Sequence, residues 1–209
     1  MDLTIAVCTY GTSEWKTKGD YAMSTIVPAI TQSNLSCETI RVHLPYGRLH
    51  QARNEALEGA SGQSMLWIDG DDFISPGSDF LPTLGRHLGS ATVLVPRIRY
   101  WRGSSPLGQG EYPRVAGHSH LCEPECLVLG NYVIIGAPVL TRAAKRVGGF
   151  REFECYEDWD LWLRLKRIGA SFKYVAATYD AQFRSISRNR RLPVEIKNKV
   201  HHAILASQD

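Results

Sequence analysis

The chain has 209 residues, a hydrophobic fraction of 44% and a charged fraction of 22%, an ordinary soluble balance with enough apolar material for one α/β domain and its core. No apolar run approaches the ~20 residues of a membrane helix, and a net charge of +3 is too small to imply a nucleic-acid partner. "MDLTIAVCTY" carries neither a basic leader nor a cleavage signal, and an odd count of 5 Cys argues for free thiols. The expectation is a cytoplasmic chain, with peripheral membrane docking through a partner left open.

Residues 3–8 are β-rich and mostly apolar, which predicts a buried first strand. The polar stretch "TYGTSEWKTKGD" follows as a loop, and Asp20 is placed to cap a helix over 21–32, which Pro28 would kink or delay. A strand over 38–44 leads into a helix over 48–60 with Leu49, Ala52, Ala56 and Leu57 on one side. "SMLWI" (64–68) is a short buried strand, "DGDDFISPGSD" a turn, and 79–88 a helix. The strand over 91–101 contains Pro96, which calls for an edge or a bulge. Residues 102–127 have no clear periodicity and suit a long functional loop. Strand character returns over 127–135. A short helix "TRAAKRVGG" ends at Gly148 or Gly149, a helix covers 156–169, and one or two strands close the chain before 183. The alternation predicts one α/β domain with a mostly parallel central sheet flanked by helices, and nothing marks a second domain.

Two acidic sites stand out. Asp69, Asp71 and Asp72 follow a buried strand directly, at the end where ligands bind in open α/β sheets. Two carboxylates around Gly70 can share a hard divalent cation, Mg²⁺ or Mn²⁺, although the same residues suit an Asx turn before a helix. In "YEDWDLWLRLKRIG", helical spacing puts Asp158 on a stripe with Leu161, Trp162 and Leu165. Glu157 and Asp160 suit the dipole at the helix start, and Asp160 can pair with Arg164 on the surface. An inward carboxylate such as Asp158 is less well explained by capping and suits a general base.

Taken together, "ARNEAL…GQSMLWIDGDDFISPG" and "GGFREFECYEDWDLWLRLKRIG" resemble the family 2 glycosyltransferases, from "TIAVCTYG" to about "FRSISR". The resemblance implies a compact GT-A, Rossmann-like domain over 1–183, with the basic stretch 184–209 part of it or packed on it. It implies an inverting transfer of a sugar from a nucleotide-diphosphate sugar to an acceptor hydroxyl of a glycan, a lipid carrier or a protein. In that reading Thr9, Tyr10 and Gly11 line the donor pocket, Arg53 and Asn54 lie near the nucleotide, and Asp69 meets the ribose or the metal. Asp71, in the DxD-type motif, is the firmest ligand for Mn²⁺ or Mg²⁺, and Asp158 is the base. Aligning on "SIS" puts Gln182 where members carry a metal-binding His. The acceptor side would take Glu157, Trp159, His118 and His120.

The chain departs from the pattern in lacking a "VDNGSTD"-like stretch before "ARN", so the base is not named, and in having Gly11 where Asn is common. Trp15 is a candidate to stack on the base. "PRIRYWRG" interleaves Arg97, Arg99 and Arg102 with Tyr100 and Trp101, which suits sugars or phosphates as well as a plain edge strand. "RSISRNRRLPVEIKNK" is either a solvated face or a tail that meets phosphates or an acidic acceptor. "HSHLCEPEC" holds zinc-type ligands (His118, His120, Cys122 and Cys126), but their tight, irregular spacing reads as a loop with free thiols. Two rival functions are a sugar-1-phosphate nucleotidyltransferase, whose Gly-rich basic N-terminal loop "CTYGTSEWKTKG" fits poorly, and a catalytically silent nucleotide-sugar or glycan-binding module, which has no need of Asp158. The assembly state is open, a homodimer included.

Overall fold

A computed structural model describes residues 1–115, 117–118, 120–183 and 191–208. In chain order it contains β1 (Leu3–Tyr10), α1 (Ser13–Ser33), β2 (Cys37–Leu44), α2 (Leu49–Gly59), β3 (Ser64–Asp69), α3 (Phe80–Gly85) and β4 (Val93–Arg102). Then come β5 (Ser105–Pro106), a 3₁₀ turn at Pro124–Val128, β6 (Val139–Leu140), α4 (Thr141–Arg146), α5 (Glu157–Arg167), β7 (Phe172–Gln182) and α6 (Val194–Ala206).

The sheet runs β2-β1-β3-β6-β4-β5, with β7 on the other side of β4. β1 pairs in parallel with β2 and β3, and β4 with β7. The two-residue β6 is antiparallel to both β3 and β4 and joins these two blocks. The five long strands therefore all point the same way, as a mostly parallel sheet requires. Both faces are covered. Leu3, Ile5 and Val7 of β1 face a core under α1 and α3, while Ala6 and Cys8 face a second core under α2, α4, α5 and α6. Burial on both faces is why β1 and β3 read as mostly apolar runs rather than as alternating ones.

Three local expectations change. The stretch taken as a loop before Asp20 is helical from Ser13 onward, with Thr12 as N-cap in extended backbone and a Glu14–Lys18 pair one turn apart. Gly19 is buried inside that helix, not in a turn. A Cβ there would lie 2.3 Å from the Arg41 guanidinium, which passes over it to reach Asp20 and the Lys16 carbonyl. Residues 127–135 form no strand; there Asn131 Oδ1 accepts from the Val133 N–H, a local bond that replaces a ladder bond at that position. Pro96 does sit at a register shift, between Val95 and Arg97 in the β4–β7 pairing. Among the described residues no helix is long and apolar enough to cross a membrane.

Candidate active site

The C-terminal ends of the parallel strands open into a cleft of about 1360 Å³. Its walls take Thr9 and Tyr10 from β1, Asp69 and Asp71 from the β3 turn, and Ala181 and Gln182 from β7. Arg53 of α2 and Glu157 and Asp158 of α5 reach it from the helix side, and Trp15 of α1 borders it with Lys18 stacked 4.8 Å from its ring centre.

The two acidic sites are joined by one buried cation. Arg53 donates to Asp69 Oδ1 at 2.7 Å and to Glu157 Oε1 at 2.9 Å, and its guanidinium lies 5.1 Å from the Phe150 ring centre. It is only 3% exposed. Burial opposes its charge, but the attraction of Asp69, Glu157 and then Asp158 outweighs burial and raises its pKa further. Arg53 thus supports the carboxylates from beneath, a role its place in "ARN" does not reveal.

Asp158 lies in the first turn of α5, half-buried, and accepts a hydrogen bond from Asn131 Nδ2 at 2.9 Å. Burial, then repulsion from Glu157, push its pKa from 3.8 to about 6, with Arg53 pulling the other way. At neutral pH it is largely ionised, yet its affinity for a proton is well above that of an ordinary carboxylate. Its three helical partners, Leu161, Trp162 and Leu165, are fully buried. Asp160 does pair with Arg164, at 2.8 Å, but not on the surface: it is 0% exposed and also takes Arg151. The amphipathic reading fails there because α6 and the α4–α5 connection cover the face assigned to solvent, and Gln208 reaches Asp160 at 3.2 Å.

The third acid of the turn is structural. Asp72 is buried and accepts from the Tyr179 hydroxyl at 2.7 Å and from the Gln182 backbone N–H at 2.8 Å. Burial first, then Asp69 and Asp71, raise its pKa well above the carboxylate range. Asp72 therefore pins the β3 turn to β7. Gly70 lets the same turn pass β1, since a Cβ there would lie 2.2 Å from Thr9 Cγ2. Thr9 is itself fixed by a 3.0 Å hydrogen bond between its hydroxyl and His43 Nδ1.

Several sequence candidates lie elsewhere. Gly11 turns the chain out of β1 with φ +83° and is not among the residues lining the cleft. Asn54 is used up on the backbone of Phe150, donating to its carbonyl and accepting from its N–H, both at 2.8 Å. Trp159 is 1% exposed, donates to the Leu127 carbonyl at 2.7 Å and stacks on His201. His118 and His120 are not among the residues lining the cleft; they follow Tyr112, Pro113 and Arg114, which are. The Gln182 side-chain amide donates to the Gly103 carbonyl at 3.2 Å. Of the Arg–aromatic strand, Tyr100 lines the cleft, while Arg99 and Trp101 donate to the buried Asp180 at 2.6 and 2.7 Å. Residues 184–190 of the basic stretch lie outside the described residues, while Arg191 lines the cleft.

Asn131 was missed from the sequence, because a polar residue in an unassigned segment gives no sign that it meets Asp158. Asp180 was missed as well, although a lone acid inside the strand "KYVAATYDAQ" is a signal of a buried, paired charge.

No family model and no curated protein matches the chain. Solved structures do. Residues 1–349 of Staphylococcus aureus TarS in complex with UDP-GlcNAc superpose with a TM-score of 0.61 at 17% identity, over 96% of this chain and 65% of that one. The same fragment in complex with UDP gives 0.60 at 16% identity over 100% and 65%. A longer TarS structure gives 0.59 at 17% over 98% and 39%. The chain therefore spans less than two thirds of the TarS fragment it matches. At this identity the likeness is one of fold, and the fold is of the GT-A type.

Proposed function

We propose that this chain is an inverting glycosyltransferase that uses a nucleotide-diphosphate sugar. One observation carries the reading: Arg53 bonds both Asp69, in the acidic turn with Asp71, and Glu157, the neighbour of Asp158 at the start of α5, so that the two acidic sites share one cleft at the C-terminal ends of parallel strands. The first supplies acids for a diphosphate site, the second a proton acceptor, and neither needs the other in a plain Asx turn or helix cap.

Asp158 takes the proton from the acceptor hydroxyl as that oxygen attacks the anomeric carbon. The bond from that carbon to the diphosphate oxygen breaks, and the nucleotide diphosphate leaves with the electron pair, so the anomeric configuration inverts. Asn131 holds Asp158 in place through its 2.9 Å hydrogen bond, and Glu157 keeps its proton affinity high. Tyr10 and Trp15 offer aromatic surface to the nucleoside, and Thr9 shapes the floor beneath it.

Asp71 and Asp69 fit a hard divalent cation. Both are oxygen donors at the cleft, and one Asp69 oxygen is already committed to Arg53. Among the described residues the turn does not converge three ligand atoms by itself. That suits Mg²⁺ or Mn²⁺, which take one or two carboxylates and complete their shell with phosphate oxygens and water. Bound there, the cation would offset the charge of the leaving diphosphate. Gln182 lines the same cleft, and its amide oxygen is a neutral donor for that shell.

The TarS complexes with UDP-GlcNAc and UDP make uridine diphosphate sugars the first donors to test. Binding and donor hydrolysis are measured over a panel of nucleotide sugars with Mn²⁺, with Mg²⁺ and with chelator. Asp71→Ala abolishes metal-dependent binding, whereas Asp158→Asn binds donor and does not transfer. Failure of every nucleotide sugar to bind, with or without metal, overturns the proposal.

A further inference from the structure

We infer that the loop following the cleft-wall residues Tyr112, Pro113 and Arg114 is a structural zinc site built from His118, Cys122 and Cys126. In sequence these residues share a motif with His120 and look irregular, but the fold selects three of them at an even spacing, H-x₃-C-x₃-C. One ring nitrogen of His118 and the two sulfurs all lie within 4.8 Å of one another. Tetrahedral zinc holds such atoms about 3.5 Å apart, so a shift of about 1 Å closes the set. Thiolate and imidazole are the ligands zinc prefers over the hard cations suited to the acidic turn.

Two further features of the same place point to a ligand. His118 Nδ1 is buried and has no hydrogen-bond partner among the described residues, and the same holds for the Tyr132 hydroxyl. The Tyr132 ring stacks 6.3 Å from that of Tyr174, whose hydroxyl donates to the Cys122 carbonyl. Zinc satisfies the imidazole nitrogen directly. Two thiolates also cancel the charge of the ion, which a half-buried site requires. The exposed His120, its ring centre 5.3 Å from that of His118, is at hand for the fourth position.

The surrounding hydrogen bonds indicate what the ion does. Val115 N–H donates to Cys122 Sγ at 3.5 Å, just past the wall residues Tyr112, Pro113 and Arg114. Tyr174 of β7 donates to the Cys122 carbonyl at 2.9 Å, and Trp159 of α5 donates to the Leu127 carbonyl at 2.7 Å. Zinc would staple the wall segment to the 3₁₀ turn that backs the start of α5, where Glu157 and Asp158 sit. The binding free energy of such an ion is folding free energy for the loop.

The test uses the full chain purified without chelator, and zinc and cobalt(II) ions as probes. Elemental analysis is expected to find one zinc per chain. Cobalt(II) added to the zinc-free protein is expected to give a thiolate-to-cobalt charge-transfer band, which zinc displaces. Cys126→Ser, at a half-buried position, and His118→Ala lose the metal and the band. Cys122→Ser/Cys126→Ser loses both as well. Asp71→Ala retains them, so loss of the donor site and loss of the zinc site are separable. Chelation lowers the melting temperature of the wild type and leaves that of Cys126→Ser unchanged. Absence of the band in the wild type, its survival in the double variant, or a Cys122–Cys126 disulfide in freshly prepared protein overturns the inference.

Discussion

Asp158→Asn separates what the Asp158 charge costs the fold from what it does in the cleft. The carboxyl is pushed from 3.8 to about 6, chiefly by burial and then by Glu157. At about 1.4 kcal/mol per tenfold change in proton affinity, that rise corresponds to about 3 kcal/mol against the ionised form in the folded chain. The start of α5 favours an anion by about 0.5 kcal/mol, which the neutral amide forfeits. The variant is therefore expected to be more stable by about 2.5 kcal/mol at pH 8, or roughly 5–10 °C in melting temperature for a chain of this length. Asn131 keeps an acceptor in the new amide oxygen.

The pH dependence has a definite sign. Because the folded-state pKa lies above the unfolded value, protonation favours folding. The penalty on the wild type is fully present above about pH 7, shrinks as pH falls through 6, and is gone below the unfolded value of 3.8. Paired thermal melts of variant and wild type should thus differ most at pH 8 and converge as pH falls towards 3.8. Transfer should fall by about 10²–10⁴-fold at saturating donor while donor affinity holds, as expected when a general base is removed. A gap in melting temperature that does not change with pH, or a variant less stable at pH 8, refutes the electrostatic reasoning. Transfer at the wild-type rate refutes the base.

Arg53→Met leaves two carboxylates facing each other without their cation, and is expected to cost about 3–5 kcal/mol in chemical denaturation. Arg53→Lys, which keeps a charge but cannot fork between Asp69 and Glu157, should recover only part of that loss and shift the acid limb of the transfer–pH profile upward. Tyr179→Phe removes the donor to buried Asp72 and should cost about 1–3 kcal/mol, while Tyr179→Phe with Asp72→Asn should cost less than the sum of the two alone. Gly70→Ala drives a methyl group into Thr9 and is expected to weaken donor binding at least about tenfold with little change in the rate of bound donor, read as KM against kcat.

The order of elements and the two acidic sites were legible in the sequence, because each rests on local chemistry. The strands β1 and β3 are read from mostly apolar runs, which follow from burial on both faces of a parallel sheet. The turn "DGDD" and the helix start "YEDWD" are read from charge and glycine placed at element ends. α1 was read as starting too late because Gly19 looks like a loop residue until Arg41, far along the chain, is seen passing over it. Asp160 looks like a surface partner of Arg164 until α6 covers that face. Asp72 carries the same letter as Asp69 and Asp71, yet Tyr179 and Gln182 of β7 take both its oxygens and tie it to the scaffold at the edge of the cleft.

The decisive contact is of that second kind. Arg53 and Glu157 are 104 positions apart, and the 2.9 Å bond between them makes one site of two motifs. The sequence by itself determined which groups could bind a cation or take a proton, since that follows from residue type and local spacing. Only the tertiary structure decided which of them share a cleft, which are neutralised beneath it, and which are walled into the core. Those outcomes depend on long-range packing, and packing sets the local dielectric that turns an ordinary carboxylate into one with a pKa of about 6.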